Sequence, residues 1–129
     1  MRLLDNKIEL VDAGHPAPIL FKKKTGQCSF VKLSDRSVGV IGIAGFPVYY
    51  ESMYYDFEDG DELILFSDGV IDIKNENEEY FGKERLLEAV KMNITKPAAD
   101  QVSFIANSIY SFCGSREQND DLTIIVLKK

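Results

Sequence analysis

The clearest hydrophobic pattern in the chain is a run of four apolar residues, 63–66 (LILF), which follows an acidic turn at 59–61. A strand with one exposed face alternates apolar and polar positions, so an unbroken run predicts a strand that is covered on both faces. The chain then reaches Asp68, and Gly69 after it allows the backbone to turn sharply. We therefore expect a carboxylate to be held rigidly where a buried strand reaches the surface.

Other apolar patterns predict strands in the first half of the chain and near its C-terminus. Residues 8–12 alternate as a half-buried strand does, and turn signals separate the early segments, which predicts an antiparallel meander. Residues 122–127 (LTIIVL) are nearly continuous in apolar character and predict a second strand that is covered on both faces. The predicted strands other than 63–66 are 8–12, 19–21, 28–33, 48–57 and 122–127.

Two helices are predicted before the closing strand. Residues 83–93 place apolar side chains on one helical face, and a second helix begins near Pro97 and ends at Gly114. Polar residues at 74–79 and 115–119 predict loops. The apolar positions at helical spacing are Leu86, Leu87, Val90, Val102, Ile105, Ile109 and Phe112.

Two weak motif matches do not support a site. Glycines spaced by three within 34–47 are followed by a proline and an aromatic strand, whereas a dinucleotide fingerprint needs a strand before it and a helix after it. We interpret this segment as a loop that crosses the sheet. Acidic and amide side chains within 72–79 lack the EF-hand spacing and its central glycine, so we interpret them as a solvated loop.

Composition indicates one acidic domain of 129 residues, 45% of them apolar, which is enough for one core. The formal net charge of −6 argues against nucleic acid as a partner, since phosphate binding draws on clustered Lys and Arg. The one basic run, 22–24, precedes a turn signal, and we interpret it as a solvated hairpin tip.

Cysteine usage and hydropathy favour the cytoplasm. Cys28 and Cys113 lie far apart, which fits neither a metal knuckle nor a disulfide framework, so we interpret both as small apolar fillers. Nothing near Met1 resembles a signal peptide, and the apolar runs fall short of a membrane span of about 18 residues. We expect a cytoplasmic protein without a membrane span.

Acidic residues stand next to both strands that are predicted to be buried. If those strands are antiparallel neighbours, Asp68 at the end of one lies roughly 5 Å from the start of the other, beside Asp120 and Asp121. Carboxylates this close either raise one another's pKa or bind a cation, and oxygen ligands without His or Cys favour Mg²⁺ or Mn²⁺. Each piece alone is also typical of an ordinary turn or of solvated residues before a strand. His15, the only histidine, has no nucleophile motif near it and is interpreted as a turn or packing residue.

Four segments resemble one protein family in their order and spacing. They are VDAGHPAPIL at 11–20, GDELILFSDGV at 60–70, FGKERL at 81–86 and NDDLT at 119–123. They are similar to the segments NAGHxPxLL, GDxLLLYTDGV, FGxERL and xDDxT of SpoIIE/RsbU-type metal-dependent serine/threonine phosphatases, a bacterial branch of the type 2C (PPM) phosphatases. The four matches are spread over residues 11–123, so the resemblance spans nearly the whole chain.

The resemblance implies an α+β fold, in which an antiparallel β-sandwich is flanked by α-helices. It implies that Asp68 of the pair with Gly69 and Asp120 are metal ligands, that Asp121 is a neighbour, and that catalysis needs no covalent intermediate with a side chain. Two Mn²⁺ or Mg²⁺ ions would activate a bridging water for in-line attack on phosphoserine or phosphothreonine. The implied substrate is a phosphorylated regulatory protein, such as an antagonist of an anti-sigma factor.

The resemblance is incomplete at the N-terminus. Members of the family carry an earlier Gly-Asp that bridges the metals and an Asp-x-x-Gly-His-Gly segment, and neither is present; the Gly-Asp at 60–61 falls in the turn before the buried strand. We therefore expect residues 1–129 to form a single, partial phosphatase domain with little or no activity by itself. Sheet edges and faces left uncovered would favour a homodimer or a swapped arrangement.

Two other interpretations stay open. The fold could serve as a noncatalytic module that docks a regulatory protein, with the acidic cluster merely solvated. The chain could also be an acidic α+β domain without a site. Binding of Mn²⁺ that depends on Asp68 and Asp120 would favour the phosphatase interpretation over both.

Overall fold

The computed structural model describes residues 1–34, 49–115 and 121–129, which form two antiparallel sheets and three helices. In chain order the elements are β1 Arg2–Leu3, β2 Lys7–Val11, β3 Ile19–Lys22, β4 Gln27–Phe30, β5 Ser52–Asp56, β6 Glu62–Phe66, α1 Gly69–Asp72, α2 Gly82–Asn93, α3 Ala98–Cys113 and β7 Ile124–Lys128. The first sheet has the strand order β1-β2-β5, and the second sheet has the order β4-β3-β6-β7.

Strand β6 lies inside the second sheet and is covered on both faces. Ile64 pairs with Ile19 of β3, and β7 pairs along the other side of β6, both antiparallel. Ile64 and Phe66 belong to the core beneath the helices, whereas Leu63 belongs to the core between the two sheets. The buried strand predicted at 63–66 is confirmed, and so is the sandwich flanked by helices.

Helices α2 and α3 cover the second sheet, as their apolar spacing predicts. Leu86 and Val90 of α2 are fully buried in one core with Ile105 and Ile109 of α3. Gly114 follows α3 with a φ of 63°, a left-handed conformation that glycine adopts without strain, and its backbone N–H still donates to the last helical turn. Both predicted helices are therefore confirmed, with their ends within a residue of those expected.

Strand β7 differs from the prediction for 122–127. It is the outermost strand of the second sheet among the described residues, and Ile125 is 48% exposed. Leu127 is only partly buried and packs against the core between the sheets. The prediction that this strand is covered on both faces is wrong: Ile124 and Val126 pack against the core beneath the helices, but Ile125 on the opposite face is exposed.

Two predicted strands are shorter in the structure, and two predicted loops lie mostly outside the described residues. The strands expected at 28–33 and 48–57 are observed only as β4 and β5. Most of the crossing loop at 34–47 and of the polar loop at 115–119 lies outside the described residues. The loop at 74–79 is confirmed as a mostly exposed turn, closed by a bridge between Lys74 and Tyr80.

The acidic turn before β6 is a structural anchor. Asp61 is 1% exposed; its carboxylate forms an ion pair with Lys22 and accepts hydrogen bonds of 2.9 Å from the backbone N–H groups of Lys23 and Glu58. Burial by itself would raise the pKa of Asp61, but Lys22 and the two N–H groups outweigh burial and hold the pKa below its ordinary value. The turn prediction is confirmed. The interpretation of 22–24 as a solvated tip is wrong for Lys22, which the buried carboxylate draws into an ion pair.

A polar contact fastens α3 to the start of β6. Gln101 Nε2 donates to Glu62 Oε2 at 2.6 Å, and Lys128 Nζ lies 2.6 Å from Glu62 Oε1. The same amide nitrogen donates to the carbonyl groups of Ile94 and Lys96 at 3.1 and 3.0 Å. These hydrogen bonds hold the connection between α2 and α3 against the first residue of β6.

The two cysteines are free and fill apolar space, as expected. Cys113 is buried, and Cys28 packs against the core beneath the helices. Burial raises the pKa of the Cys28 thiol, which makes its reactive thiolate scarcer. Among the described residues, no helix has the length and apolar character needed to cross a membrane.

Candidate functional site

The end of β6 and the start of β7 are joined by the side chain of Ser67. Phe66 pairs with Ile124, and beyond this pair the Ser67 N–H donates to the Thr123 carbonyl at 3.0 Å. The Ser67 hydroxyl accepts from the Thr123 N–H at 3.0 Å and donates to the Asp121 carbonyl at 3.1 Å. The antiparallel pairing that was assumed for the two strands is therefore observed, and it continues one step past the strands themselves.

Asp68 stands immediately beyond this junction and caps a helix of one turn, α1. Its Oδ1 accepts a hydrogen bond of 3.0 Å from the Gly69 N–H, while the side chain as a whole is exposed. Its Oδ2 makes no hydrogen bond with any residue in the described ranges. Gly69 and Val70 are buried, so the chain leaves β6 in a helical turn, and this turn replaces the sharp glycine turn expected there.

The structure brings two of the three predicted acidic residues to one end of the second sheet. Asp68 follows Ser67, and the exposed Asp121 is the residue whose carbonyl Ser67 binds. Asp120 lies outside the described residues, so its place beside them stays a prediction. The junction therefore presents the Asp68 carboxylate on a fixed cap, next to a chain segment that carries another carboxylate.

The chemistry of these donors suits a hard divalent cation. Carboxylate oxygens are the ligands that Mg²⁺ and Mn²⁺ prefer, and one oxygen of Asp68 is already oriented by its capping hydrogen bond. No group of three or more acidic, His or Cys side chains that could hold a metal occurs within the described residues. The described residues therefore supply the right type of donor for a metal site, but too few ligands to complete one.

A pocket of about 220 Å³ opens between the two sheets at the same end of the sandwich. Leu65 of β6 and Leu10 of β2 line it, together with Pro18, which directly precedes β3. The lining also includes two polar side chains, those of Asp12 and His15. The pocket is therefore mostly apolar, with a carboxylate and an imidazole at its polar part.

His15 lies in a turn whose shape the Asp12 side chain sets. Asp12 Oδ1 accepts hydrogen bonds from the backbone N–H groups of Gly14 at 2.9 Å and His15 at 3.2 Å. His15 is exposed, and Gly14 has a φ of 95°, a conformation that a residue with a side chain rarely adopts. The turn predicted for His15 is confirmed, but the residue lines a pocket at the surface and is not packed in a core.

The sequence did not predict a functional role for two residues at this end. Ser67 precedes Asp68, and a hydroxyl at the last step of a buried strand is a signal for cross-strand bonding that could have been used. His15 was set aside because no nucleophile lies near it in sequence. Its position on a pocket follows from the pairing of β3 with β6, which local sequence does not report.

A model of the Stage II sporulation protein E (SpoIIE) family matches residues 2–129 of the chain. The chain belongs to the SpoIIE family. Its fold matches the SiaA-PP2C domain of Pseudomonas aeruginosa with a TM-score of 0.72 at 20% sequence identity. It also matches the phosphatase domain of the cell fate determinant SpoIIE from Bacillus subtilis, presoaked with Mn, with a TM-score of 0.70 at 17% identity. The fold is therefore that of a PP2C-type phosphatase domain, as the resemblance implies.

The chain spans about half the length of these solved structures. The matches cover 94% of this chain and 46% of the SiaA structure, and 99% of this chain and 53% of the SpoIIE structure. A curated relative, Protein IcfG of Synechocystis sp., is 25% identical over 123 residues, which is 95% of this chain and 18% of IcfG. The division of residues 1–129 into a single partial domain stays a prediction.

Proposed function

We propose that this chain supplies the Asp68 side of a metal-dependent phosphatase site, which in an intact domain hydrolyses phosphoserine or phosphothreonine on a regulatory protein. The observation that carries the proposal is the Ser67 junction, which holds the end of β6 and the segment of Asp121 together. Membership of the SpoIIE family and the PP2C-type fold support the same reaction class.

Asp68 and Asp120 are the residues that would hold Mn²⁺ or Mg²⁺, with Asp121 beside them. When bound, two such ions would lower the pKa of a water and neutralise phosphoryl oxygens during an in-line displacement. The chain's own part is to hold Asp68 in place. Gly69 fixes one carboxylate oxygen through its N–H, and its burial at the start of α1 keeps the cap from moving.

The isolated chain should have little or no phosphatase activity. Its described residues contain no group of three ligands, and two divalent ions need more oxygen donors than two or three aspartates can give in a fixed geometry. The measurement is hydrolysis of a phosphoserine peptide by the purified chain with Mn²⁺. Appreciable turnover, abolished by Asp68→Asn, would mean that the chain is sufficient, and would overturn this part of the proposal.

Metal binding tests the site itself. Asp68→Asn removes a charge but keeps a good capping residue, so the fold should persist while Mn²⁺ affinity falls. Asp120→Asn should have a similar effect. Asp100→Asn is the matched control, because Asp100 is an exposed aspartate next to Gln101, at the opposite end of β6. Calorimetry that finds the same Mn²⁺ affinity in all four proteins would refute the proposed site.

The proposed partner is a phosphorylated regulatory protein, such as an antagonist of an anti-sigma factor, met in the cytoplasm. The net charge of −6 makes nucleic acid an unfavourable partner. A second copy of the chain is a further proposed partner, through the edges of the sheets. Within the described residues, the outer strands are β1 and β5 of the first sheet and β4 and β7 of the second, and their backbone groups could pair with another strand.

A noncatalytic docking module of the same fold is the second candidate. The observation that favours it is an ordered outer face on the first sheet, where Tyr54 is 55% exposed and donates to Glu9 at 2.9 Å. Arg2 lies 2.8 Å from the same carboxylate. If docking is the function, Mn²⁺ affinity will not depend on Asp68, and a partner will be lost on Tyr54→Ala.

A further inference from the structure

The pocket between the sheets lies at the same end of the sandwich as the proposed metal site. Strand β3 begins where β6 ends, since Ile19 pairs with Ile64 and the two strands are antiparallel. One step further along this register stand Pro18 and Leu65, and both line the pocket. Because Asp68 lies three residues beyond Leu65, the pocket and the carboxylate occupy the same end of the sandwich.

His15 is displayed at this end by a fixed turn. The Asp12 carboxylate accepts hydrogen bonds from two backbone N–H groups, and these bonds hold the turn. The His15 side chain is exposed and makes no hydrogen bond with any other described residue, so both ring nitrogens are accessible to a ligand. The imidazole is also the one side chain in the pocket lining, among the described residues, that can donate a hydrogen bond.

A phosphorylated residue needs hydrogen-bond donors for its phosphoryl oxygens and an apolar surface for its carbon atoms, and the pocket offers both. Its phosphoryl oxygens require donors, yet the charged side chains placed here are the carboxylates of Asp12, Asp68 and Asp121, which repel an anion. The imidazole of His15 can supply the missing donor from the protein itself. The apolar lining, including Leu65, offers a surface for the carbon atoms of the residue.

We propose that His15 binds the phosphoryl group of the phosphorylated serine or threonine, while the carbon atoms of that residue lie against the apolar lining beside Leu65. The inference rests on the proposed phosphatase function, because it takes the Asp68 edge as the place where the phosphoryl group is processed. The volume of about 220 Å³ is suited to one side chain and lies below the roughly 300–1,000 Å³ of a pocket for a drug-sized ligand.

A single histidine makes the test direct, because the chain gives one imidazole signal in a proton NMR spectrum. Paramagnetic Mn²⁺ held at the Asp68 edge should broaden the His15 signal, and the broadening should be lost in Asp68→Asn. With diamagnetic Mg²⁺ instead, addition of a blocked phosphoserine should shift the signal. Blocked serine without the phosphate is the control and should leave the signal in place.

Affinity measurements on variants complete the test. His15→Ala should weaken binding of blocked phosphoserine about tenfold, the effect of one hydrogen bond to a charged group. His15→Gln, whose amide can still donate, should restore part of that loss. Neither change should alter Mn²⁺ affinity, and an unchanged circular dichroism spectrum would establish that both variants are folded.

The outcomes separate the inference from the proposed function. Asp68-dependent Mn²⁺ binding without broadening of the His15 signal overturns the inference and leaves the proposed metal site intact. Phosphoserine binding that is unchanged in His15→Ala does the same. Absence of any Asp68-dependent Mn²⁺ binding overturns both. Broadening together with the tenfold loss supports the inference.

Discussion

The hydroxyl of Ser67 donates to the main-chain carbonyl of Asp121 over 3.1 Å, although the two residues are 54 positions apart in sequence. The same hydroxyl accepts from the Thr123 N–H at 3.0 Å. One side chain thereby extends the pairing of β6 and β7 to the point where Asp68 leaves the sheet. The candidate site depends on this contact, because it fixes the distance between two segments that each carry an acidic residue.

Replacement of Ser67 by alanine tests that dependence. Ser67→Ala leaves the Thr123 N–H and the Asp121 carbonyl without their partner, so we expect a loss of about 1 kcal/mol in the free energy of unfolding. We also expect a several-fold weaker Mn²⁺ affinity, since the two segments are less firmly joined. Urea denaturation and calorimetry measure the two effects. Ser103→Ala is the control, because that hydroxyl bonds only within α3. Equal Mn²⁺ affinity in both variants would contradict the role given to Ser67.

The buried pair of Asp61 and Lys22 should make stability depend on acid. The folded pKa of Asp61 lies below its ordinary value of 3.8, so the pair contributes fully above that pH, and its contribution is lost as the pH falls towards the folded pKa. At neutral pH, Asp61→Asn should lower the free energy of unfolding by on the order of 3 kcal/mol, the cost of breaking a buried pair.

The sign of this effect is checked by denaturation in urea across a range of pH. The difference in stability between the native chain and Asp61→Asn should be constant near neutrality and shrink in acid below about pH 4. Asp59→Asn alters an exposed carboxylate in the same turn and should change stability little at any pH. A difference for Asp61→Asn that persists unchanged in strong acid would show that its charge is not what stabilises the turn.

Self-association through the first sheet is the third prediction. Tyr54 of the outer strand β5 is 55% exposed, and a charged residue there would discourage pairing with a second chain. Light scattering should detect a dimer fraction that increases with protein concentration in the native chain and is smaller in Tyr54→Lys. Tyr110→Lys is the control, since Tyr110 is also 55% exposed but lies on α3. A native chain that remains monomeric at high concentration would exclude the dimer.

Much of the fold can be predicted from local sequence pattern, because β6, α2 and α3 bury the apolar side chains whose spacing predicts them. The unbroken run at 63–66 predicts a strand between two layers, and the structure has it there. Helix α3 is foreseen from its apolar spacing and from Gly114 at its end. The pairing of β6 with β7, which brings Asp68 to the Asp121 segment, was only assumed from the sequence, and the structure shows it.

What the pattern missed depends on neighbours that are distant in sequence. Lys22 belongs to a basic run that looks solvated, and only the approach of Asp61 makes it part of a buried pair. Ile125 is as apolar as the residues of β6, yet it is exposed on the face of β7 opposite the core beneath the helices. His15 gains its place on a pocket from strand pairing across the sandwich. The position of Asp120 stays a prediction.

The most direct measurement of the central claim is the location of the metal. Crystals of the chain grown with Mn²⁺ should give an anomalous difference peak within about 2–2.5 Å of a carboxylate oxygen of Asp68 and of Asp120. The peak should vanish in crystals of Asp68→Asn and persist in those of Asp100→Asn. A peak at other residues, or none at the end of β6 at saturating Mn²⁺, would contradict the account.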